Sequence, residues 1–552
     1  MRIPGPARLF IVLRKRGERG VAVNVPACYV LLMMNRYLCA LLAAFAGFSL
    51  VSAVDAAETK PNVVFILTDD LGWNELGCYG QTKIKTPRVD SLARDGMKFT
   101  QAYSGNAVCA PSRCVLMTGK HPGHAIVRNN RGMKPEGQFP LPPEEETIAS
   151  LFAQEGYVSG AFGKWGLGNT GSTGNPLKKG FKRFFGYNCQ AHAHSFYPAT
   201  LWSDNELFPL NNDPPIPGHA KLAPELDADD PASYAIFKGQ DYAPDRINGQ
   251  ALKFIRDNKD GPFFCYYPTI IPHLALMVPD EKLEEYHKEG WKETPFTSRE
   301  RRSYTPHHTP RAGYAAFITQ MDTYVGRVLD LLDELGLREN TIVVFTSDNG
   351  ATYLPEVDFE FFESVGPLRG LKGSLYEGGI RVPLLVRWPG KVAAGSESDV
   401  LTGFEDWLPT LLELTGAETE VPAGVDGVSL APVLLGEAKK GSGGRDFLYR
   451  EFAAYGGQQA VWLDGGKWKA IKQNLLGKKG APGFALKANG RSAQGGSDAT
   501  PGKLELYDLE NDIGESKDVA SEHPEIVKRA EALMKSERFP SEDFPFPVLD
   551  AK

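Results

Sequence analysis

Two short, strongly apolar stretches constrain the fold of this chain more than any other feature of its sequence. Pro61–Leu67 and Thr341–Ser347 are rich in valine, isoleucine, leucine and phenylalanine. Runs of this length and composition are typical of strands that are buried on both faces of a parallel sheet. Amphipathic helical repeats alternate with such runs along the chain, most clearly from Tyr314 to Leu332. The sequence therefore predicts a layered α/β fold.

Polar side chains follow both of these predicted strands. Asp69 and Asp70 come after the first strand, and Asp348 and Asn349 come after the second. Ligands of open α/β sheets bind beyond the carboxyl ends of the strands, so we expect these four side chains to meet at one edge. Adjacent carboxylates repel each other unless a cation or protons intervene, although a lone Asp-Asp pair fits a turn cap beside a solvated residue equally well. Oxygen ligands suit Ca²⁺ and, less well, Mg²⁺, and no Cys/His spacing indicates zinc.

A third feature is the stretch from Cys109 to Gly119, which reads Cys-Ala-Pro-Ser-Arg-Cys-Val-Leu-Met-Thr-Gly. We expect Pro111 to occupy the first position of a helix, where its missing N–H costs nothing. Because a helix N-terminus attracts anions, Cys109 is a candidate nucleophile beside a fixed cation, Arg113. For the short motif alone, a Cys109–Cys114 disulfide or two buried thiols on an ordinary helix is an equally good interpretation.

The longer string resembles the signature of the formylglycine-dependent (type I) sulfatases, since Cys-x-Pro-Ser-Arg is followed here by Leu116, Met117, Thr118 and Gly119. The resemblance implies an alkaline-phosphatase-like fold. A large central mixed β-sheet would be flanked by helices, with a smaller C-terminal domain containing an antiparallel sheet and a helix. It also implies that Cys109 is oxidised after translation to formylglycine. Its hydrate would attack sulfur with one hydroxyl and expel sulfate with the other.

The same resemblance implies roles for further residues. Arg113 would hold the formylglycine and the metal site. Lys164, in a Gly-Lys-Trp loop, and Lys372, in a Gly-Lys-Gly loop, resemble sulfate-binding residues. His273 follows the predicted strand Phe263–Tyr267 and resembles the histidine that protonates the leaving oxygen, its alternative being a structural histidine. The implied shell of one divalent cation, usually calcium, consists of Asp69, Asp70, the residue formed from Cys109, Asp348 and Asn349.

The chain departs from the family pattern at Gly166. Many members carry a histidine there, directly after Lys-Trp, and it serves as the base in sulfate release. His192 and His194 are the replacement candidates, because alternation along an extended segment would put both on one side. We favour His194; His121 and His124, closer to the signature, remain possible. A subset of exported sulfatases resembles this chain in pairing Lys-Trp-Gly with His-Ala-His.

The N-terminal region reads as an export signal. Residues 1–57 combine an over-extended start with a signal peptide, in which Met34–Arg36 precedes the apolar run Tyr37–Val51. A membrane anchor is the alternative, but the run is short for a span. We predict a periplasmic or secreted protein without stable membrane insertion after signal removal. The remainder would comprise a catalytic sulfatase domain (58–440) and a small C-terminal domain (441–552).

Charge and composition restrict the partners. The chain carries a net charge of −7, and its first 57 residues contain seven basic and two acidic side chains, so the rest is more acidic still. An acidic body argues against nucleic-acid binding, and an anionic substrate then requires locally placed arginine and lysine. Five cysteines remain after signal removal, namely Cys78, Cys109, Cys114, Cys189 and Cys265. Conversion of Cys109 would leave four, whose pairing the spacing does not decide.

The predicted partners are a substrate and a formylglycine-generating or other sulfatase-maturing enzyme. Residues 169–260 are rich in Pro, Gly, Asn and Asp and are expected to form long surface excursions around the site. Within them, the aromatic, His-rich segment from His192 to Trp202 favours a carbohydrate pocket, with a sulfated galactose-type sugar ahead of an aryl sulfate. The rival functions are a phosphodiesterase or phosphonate hydrolase on the same scaffold, and an inactive sulfated-glycan-binding protein, which Gly166 suggests.

Overall fold

The computed structural model describes residues 8–13, 21–26, 60–300, 303–438, 444–477 and 502–551. The chain divides into two units, residues 1–59 and 60–552. In the first unit, β1 (Arg8–Leu13) and β2 (Val21–Pro26) form an antiparallel pair. The predicted signal peptide lies outside the described residues.

The second unit contains the strands and helices that carry the site. Its strands are β3 (Asn62–Thr68), β4 (Met97–Phe99), β5 (Ala102–Tyr103), β6 (Val158–Lys164), β7 (Arg183–Tyr187), β8 (Thr200–Ser203), β9 (Glu206–Pro209), β10 (Phe263–Pro268), β11 (Thr341–Ser347), β12 (Leu384–Arg387), β13 (Ser396–Ser398), β14 (Thr402–Gly403), β15 (Phe447–Phe452), β16 (Gln458–Leu463), β17 (Trp468–Lys472) and β18 (Leu504–Asp508). Its α-helices are α1 (Pro87–Arg94), α2 (Cys109–Thr118), α3 (Ile148–Gln154), α4 (Ala243–Asp257), α5 (Asp280–His287), α6 (Pro310–Glu334), α7 (Phe359–Phe362), α8 (Glu377–Ile380), α9 (Trp407–Leu414), α10 (Ala431–Leu434), α11 (Pro524–Ser536) and α12 (Pro547–Asp550).

A ten-stranded mixed sheet forms the centre of this unit, in the order β13-β4-β12-β11-β3-β10-β6-β7-β8-β9. The five strands from β11 to β7 run parallel, whereas β12, β8 and β9 are antiparallel to their neighbours. The two predicted strands are confirmed as β3 and β11, which pair in parallel with Thr68 opposite Ser347. Both strands therefore end at the same edge, as the sequence predicts.

Alternation along β3 explains why its central residues, Val63–Leu67, are apolar without interruption. Val64 and Ile66 pack on one side of the sheet with α4 and α6, in the core that includes Val325. Val63 and Phe65 face the other side and pack with α2, α3 and α9. A strand covered by helices on both faces needs an apolar side chain at every position. The fold is thus the predicted α/β arrangement with helices on both sides of a mixed sheet.

The prediction of long surface excursions over residues 169–260 is wrong in part. This region contains β7, β8 and β9, which extend the central sheet, and the 15-residue helix α4. The strands have only four or five residues each, so the Pro, Gly and Asn residues of the turns between them dominate the local composition.

A second, four-stranded antiparallel sheet is formed by β15, β16, β17 and β18 in that order. Helix α11 packs against it through Ile526, Ala530 and Met534. The antiparallel sheet and the helix that the resemblance implies for the C-terminal part of the chain are confirmed. The domain boundary near residue 440 stays a prediction.

A buried ionic cluster ties this small sheet to the segment that follows the Gly-Lys-Gly loop. The Lys469 ammonium on β17 lies 2.9 Å from Glu377 Oε1 and 2.7 Å from Glu515 Oε1, and all three side chains are fully buried. Trp462 also donates its indole N–H to Glu377 Oε1 at 2.9 Å. Glu377 begins α8, five residues after Lys372.

We expect Lys469→Met to lower the free energy of unfolding by about 3–5 kcal/mol, because two buried carboxylates would lose their shared cation. The matched control is Lys472→Met on the same strand. Its partner Glu531 is half exposed at 3.2 Å, and removing such a surface pair costs about 1 kcal/mol or less. Denaturant unfolding monitored by tryptophan fluorescence measures both; equal losses would contradict the role assigned to the cluster.

Among the described residues, no helix combines the length and the apolar character needed to cross a bilayer.

Candidate active site

Helix α2 carries Cys109 at its first position, and every residue of this helix is buried. The helix begins two residues earlier than the sequence predicts, so that Pro111 occupies the third helical position rather than the first. Proline is tolerated there because the N–H groups of a first helical turn have no acceptor within the helix. The Ser112 hydroxyl accepts a hydrogen bond from the Gly105 backbone N–H at 3.0 Å and so ties the preceding loop to the helix.

The thiol of Cys109 lies among charged groups. Its Sγ is 3.4 Å from Asp69 Oδ1 and 3.8 Å from Lys372 Nζ. Burial and the Asp69 carboxylate raise the pKa of Cys109 to about 12, so the unmodified residue is a neutral thiol and a weak nucleophile. Neither Cys109 nor Cys114 forms a disulfide, and the same holds for the other three cysteines among the described residues.

Four polar side chains converge at the carboxyl ends of β3 and β11, where the sequence predicts them. Asp69, Asp70, Asp348 and Asn349 are all buried. The Asp70 N–H donates to Asp348 Oδ1 at 3.3 Å, and Asn349 Nδ2 donates to Asp70 Oδ1 at 2.8 Å. Asp70 adopts a left-handed backbone conformation with a φ of 72°, which is uncommon outside glycine and often accompanies functional sites.

Three cationic side chains surround these carboxylates. Lys164, the last residue of β6, contacts Asp69 Oδ2 at 2.5 Å, and Lys372 contacts Asp70 Oδ1 at 2.6 Å. Arg113 lies fully buried one helical turn after Cys109, and its Nη2 is 2.8 Å from Asp348 Oδ2. The Arg113 guanidinium also donates to the Lys164 carbonyl. The nearest carboxylate is thus a different one for each cation, and Arg113 Nη2 also lies 3.6 Å from Asp69 Oδ2.

The carboxylates respond differently to this environment. Burial alone would raise the pKa of Asp69, but Lys164, His273, Arg113 and Lys372 together hold it well below its usual range. Burial and the neighbouring negative charge raise the pKa of Asp348 to about 6, and burial also raises that of Asp70. A cluster in which carboxylates resist full ionisation gains stability from a further cation.

The donor set fits a divalent cation. Atoms of Asp69, Asp70, Cys109 and His273 lie within 4.8 Å of one another. Asn349 Oδ1 is buried at the same edge and accepts no hydrogen bond from any described residue, although its Nδ2 is satisfied. A buried amide oxygen without a donor is costly unless something else satisfies it, and a hard cation does so. Asp348 adds another oxygen, shared with Arg113.

His273 lies beside this cluster, after β10. Its Nδ1 donates to the Leu274 carbonyl at 2.7 Å, which leaves Nε2 as the acceptor nitrogen, 3.7 Å from Asp70 Oδ2. Burial and the positive charge of Lys372 lower the pKa of His273 well below its usual value. The structure therefore brings a neutral imidazole, with a free lone pair, to the edge of the carboxylate cluster.

The sequence predicts that His192 and His194 lie on one side of an extended segment, and this prediction is wrong. His192–His194 is a single turn of 3-10 helix. Residues two apart in such a turn point in different directions. His192 contacts Glu136, with 3.3 Å between Nδ1 and Oε1. His194 instead stacks on His273, with ring centroids 5.0 Å apart and an angle of 7° between the planes. Only the favoured candidate reaches the site.

A side chain at Gly166, where the resemblance implies a histidine in many family members, would displace the Gln190 amide. Gly166 has a φ of 81°, and a Cβ built on it would lie 2.6 Å from Gln190 Nε2. Both polar atoms of the Gln190 amide are buried and lack a hydrogen-bond partner among the described residues. Sequence reasoning missed Gln190, which lies 24 positions away and gives no local signal. The amide fills the space but is not a base.

We expect Gly166→Ala to destabilise the protein by about 1–2 kcal/mol from left-handed backbone strain, plus about 1 kcal/mol for displacing the buried Gln190 amide. Gly171→Ala isolates the first term, because Gly171 has a similar φ of 89° and nothing within 4 Å of its built Cβ. Adding Gln190→Ala to Gly166→Ala should recover only the part of the lost stability that comes from displacing the Gln190 amide, about 1 kcal/mol. Urea unfolding of the wild-type protein and these three variants tests this; equal losses for Gly166→Ala and Gly171→Ala would rule out the crowding.

His121 and His124 lie beyond the far end of α2 from Cys109, about 15 Å along a ten-residue helix. They form a second cluster with Asp426, and His124 Nδ1 is 2.9 Å from Asp426 Oδ1. His121 Nδ1 accepts the Gly123 N–H at 3.2 Å, so its neutral ring carries the proton on Nε2 and cannot use that nitrogen as a metal ligand. Neither histidine is therefore close to Cys109, and His121 is not oriented as a metal ligand.

The comparisons with known proteins agree with this geometry. The Sulfatase family model matches residues 61–417, and a model described as N-sulphoglucosamine sulphohydrolase, C-terminal, matches residues 371–469. Arylsulfatase A of Homo sapiens is 33% identical over 410 residues, which cover 70% of this chain and 69% of that protein. N-acetylgalactosamine-6-O-sulfatase of Bacteroides thetaiotaomicron is 29% identical over 530 residues, covering 86% and 93%. The crystal structure of Ps i-CgsB in complex with k-i-k-neocarrahexaose shares the fold with a TM-score of 0.67 and 24% identity, covering 87% of this chain and 94% of that one.

Together, fold and relatives define a hydrolase of the alkaline-phosphatase-like class. The chain belongs to the sulfatase family, and its activity is that of a sulfuric ester hydrolase.

Proposed function

We propose that this protein is an exported sulfatase that hydrolyses sulfate monoesters on carbohydrates, with formylglycine at position 109 and one bound Ca²⁺. The observation that carries the proposal is the convergence of Cys109 with the oxygens of Asp69, Asp70, Asp348 and Asn349 at one sheet edge. Formation of formylglycine requires a sulfatase-maturing enzyme as a partner.

The charge balance of the site supports an anionic substrate together with a divalent cation. Asp69, Asp70 and Asp348 are opposed by Lys164, Lys372 and Arg113, so the buried cluster is close to neutral by itself. Adding a divalent cation leaves two positive charges. A singly charged sulfate ester and one ionised hydroxyl of the nucleophile restore neutrality, which a buried site requires.

The residue formed from Cys109 and a bound cation would supply the central chemistry. Hydrated formylglycine at position 109 would provide one hydroxyl for attack on sulfur and a second hydroxyl for sulfate release. A divalent cation held by Asp69, Asp70, Asp348 and Asn349 would lower the pKa of the nucleophilic hydroxyl and screen the sulfate charge. Calcium is the cation that we propose, because these four residues offer hard oxygen ligands, while the nearby imidazole of His273 is assigned to proton transfer.

The protein's own side chains bind and orient the substrate around these groups. Lys164 contacts Asp69 and Lys372 contacts Asp70. We propose that the two ammonium groups bind sulfate oxygens. Arg113 orients Asp348 through two nitrogens, at 2.8 and 3.1 Å from Oδ2. His273 is proposed to donate a proton to the leaving oxygen; a bound anion would raise its pKa and so favour the protonated form.

A sulfated carbohydrate is the proposed substrate class. The Bacteroides relative of 29% identity is named for a sulfated amino sugar. Near the histidine turn, Glu136 Oε1 accepts hydrogen bonds from the Trp202 indole at 3.0 Å and from His192, which leaves a partly exposed aromatic surface beside acidic and imidazole groups. Aromatic faces pack on sugar rings, and carboxylates accept sugar hydroxyl groups. A sulfated galactose-type sugar is the first compound to test.

Export is proposed because the residues before Ala57 resemble a signal peptide. It also agrees with the proposed cation, because a Ca²⁺ site is more readily occupied outside the cytoplasm, where the ion is abundant. Fractionation of cells that express the full chain, followed by N-terminal sequencing, tests this. We expect the mature protein to begin after the apolar run and to lie outside the cytoplasm.

The function itself is tested by turnover of an aryl sulfate, an aryl phosphate and a panel of sulfated galactose and N-acetylgalactosamine derivatives. We expect desulfation of at least one sulfated sugar with a kcat/KM well above that of the aryl sulfate, and little phosphate release. Preferred turnover of the aryl phosphate would instead support a phosphodiesterase or phosphonate hydrolase. Binding of sulfated sugars without turnover would support a glycan-binding protein.

A further inference from the structure

The proposed reaction needs a base near position 109, and the side chain closest to Gly166 does not provide one. The Gln190 amide is not basic at neutral pH, and it occupies the space into which a residue at position 166 would project. His194 is the imidazole stacked on His273 at the edge of the carboxylate cluster. A neutral imidazole is a base only through its unprotonated nitrogen, so its tautomer decides whether it can act.

A chain of hydrogen bonds determines that tautomer. His219 Nδ1 lies 3.0 Å from the Ser303 carbonyl oxygen, which can only accept, so the proton of neutral His219 is on Nδ1. Its Nε2 therefore presents a lone pair, and this atom is 2.9 Å from His194 Nδ1. His194 must then carry its own proton on Nδ1, which leaves Nε2 unprotonated. The backbone carbonyl of Ser303 thus sets the state of His194 through His219.

Close packing holds the two rings in place. A Cβ built on Gly218 would lie 2.5 Å from His194 Cβ, so only glycine allows the backbone to bring His219 this near. The Gly218 carbonyl accepts the Thr305 N–H at 3.1 Å on the opposite side. The Tyr304 ring covers both imidazoles, at 4.4 Å from His219 and 5.1 Å from His194.

The Ser303 carbonyl, the acceptor at the end of this chain of hydrogen bonds, is also held in place. Glu356 Oε1 accepts the Tyr304 N–H at 3.0 Å and the Ser303 hydroxyl. Glu356 is 2% exposed, so the turn that presents the Ser303 carbonyl is anchored by a buried carboxylate. The carbonyl is therefore oriented by contacts independent of the two histidines.

We propose that His219 is a positioning residue, which holds His194 in the Nδ1-protonated tautomer so that His194 Nε2 can accept a proton during sulfate release. The inference rests on the proposed sulfatase mechanism and extends it, because it assigns the function of the missing histidine to a two-residue relay. The O–H bond of the hydroxyl breaks while the N–H bond at His194 Nε2 forms. The freed electron pair forms the carbon–oxygen double bond of the aldehyde while the bond from that carbon to the sulfate oxygen breaks, so that sulfate leaves with this bonding pair. The imidazolium later returns its proton to water.

The test compares His219→Leu, which cannot hydrogen-bond, with His219→Gln, whose amide oxygen can accept from His194 and whose NH₂ can donate to Ser303. We expect kcat for a sulfated substrate to fall about 100-fold in His219→Leu with little change in KM, since general-base catalysis contributes roughly 10²–10⁴-fold. His219→Gln should recover most of this loss. His308→Leu is the control, because within the described part of the chain His308 hydrogen-bonds to the Asp229 carbonyl at the surface and takes no part in the contacts of His194 and His219.

A double-mutant cycle separates positioning from a structural contribution. In a His194→Ala background, adding His219→Leu should have almost no further effect on kcat, because the relay is already broken. Losses that multiply, an unchanged kcat in His219→Leu, or a Gln variant as slow as the folded Leu variant would each overturn the proposal. If the proposed sulfatase mechanism itself is wrong, the result is different: neither the wild-type protein nor His308→Leu turns over the sulfated substrate.

A direct measurement does not depend on whether the variants fold. In the wild-type protein labelled with ¹⁵N-histidine, two-bond ¹H–¹⁵N correlations should show both His194 and His219 protonated on Nδ1 only. Protonation of His194 on Nε2 would overturn the assignment.

Discussion

Replacing Cys109 with alanine is expected to lower kcat/KM for sulfate esters by a factor of roughly 10⁴ or more, while the protein stays folded. The thiol side chain is the precursor of the nucleophile, and no other described nucleophilic side chain contacts both Asp69 and Lys372. Alanine keeps the helix, because it is the strongest helix former and Cys109 is already at the helix start. Steady-state kinetics with the protein produced alongside a sulfatase-maturing enzyme provides the measurement.

The matched control is Cys114→Ala, since Cys114 lies one turn further along the same helix and is equally buried. Its side chain faces the apolar core rather than the carboxylate cluster. We expect this variant to retain activity with a modest loss of stability. Activity in Cys109→Ala, or an equal loss in both variants, would contradict the assignment of Cys109 as nucleophile precursor.

Removal of the divalent cation is expected to have the next largest effect. A chelator should lower kcat by about 10³-fold, because a metal contributes several kcal/mol of charge stabilisation in the transition state. Addition of Ca²⁺ in excess should restore activity and raise Tm, since a ligand present at about 100 times its Kd stabilises the folded state by about 2.7 kcal/mol. Activity and thermal denaturation are measured on the same dialysed sample.

A pair of asparagine variants locates the ion. Asn349→Ala removes the unpartnered oxygen at the sheet edge and should raise the Ca²⁺ concentration needed for half-maximal activity by at least tenfold. Asn248→Ala is the control, because Asn248 Oδ1 is likewise buried and unpartnered among the described residues, but lies in α4 near Tyr267 and Tyr324. We expect Asn248→Ala to change stability without changing the Ca²⁺ requirement. Full activity after exhaustive chelation would disprove the cation dependence.

The central sheet and the four polar residues at its edge, Asp69, Asp70, Asp348 and Asn349, could be predicted from sequence because the signals are local. A strand such as β3 is covered on both faces, so its five central positions, Val63–Leu67, are apolar, and the residues after it must lie at the sheet edge. The same argument places Asp348 beside Asp70. Strands β7 to β9 gave a weaker signal, because they are short and separated by turns rich in Pro, Gly and Asn.

The surroundings of His194 could not be predicted, because they depend on contacts between loops that are distant in sequence. His219 lies 25 positions further on and Tyr304 comes from another segment altogether. The expected extended geometry of His192 and His194 was wrong because a 3-10 turn, held by the Ser195 N–H to the His192 carbonyl, separates the two side chains. Likewise, Gly166 indicated a missing base but not the Gln190 amide that fills its place.

The central claim is that the residue at position 109 is a formylglycine in the active enzyme. Trypsin should release residues 99–113 as one peptide, in which Cys109 is the only cysteine. The mass of this peptide from fully active protein should show that oxygen has replaced the sulfur and two hydrogens have been lost, and the peptide should react with a hydrazine reagent for aldehydes. A fully active preparation whose peptide retains an intact, alkylatable thiol would contradict the account.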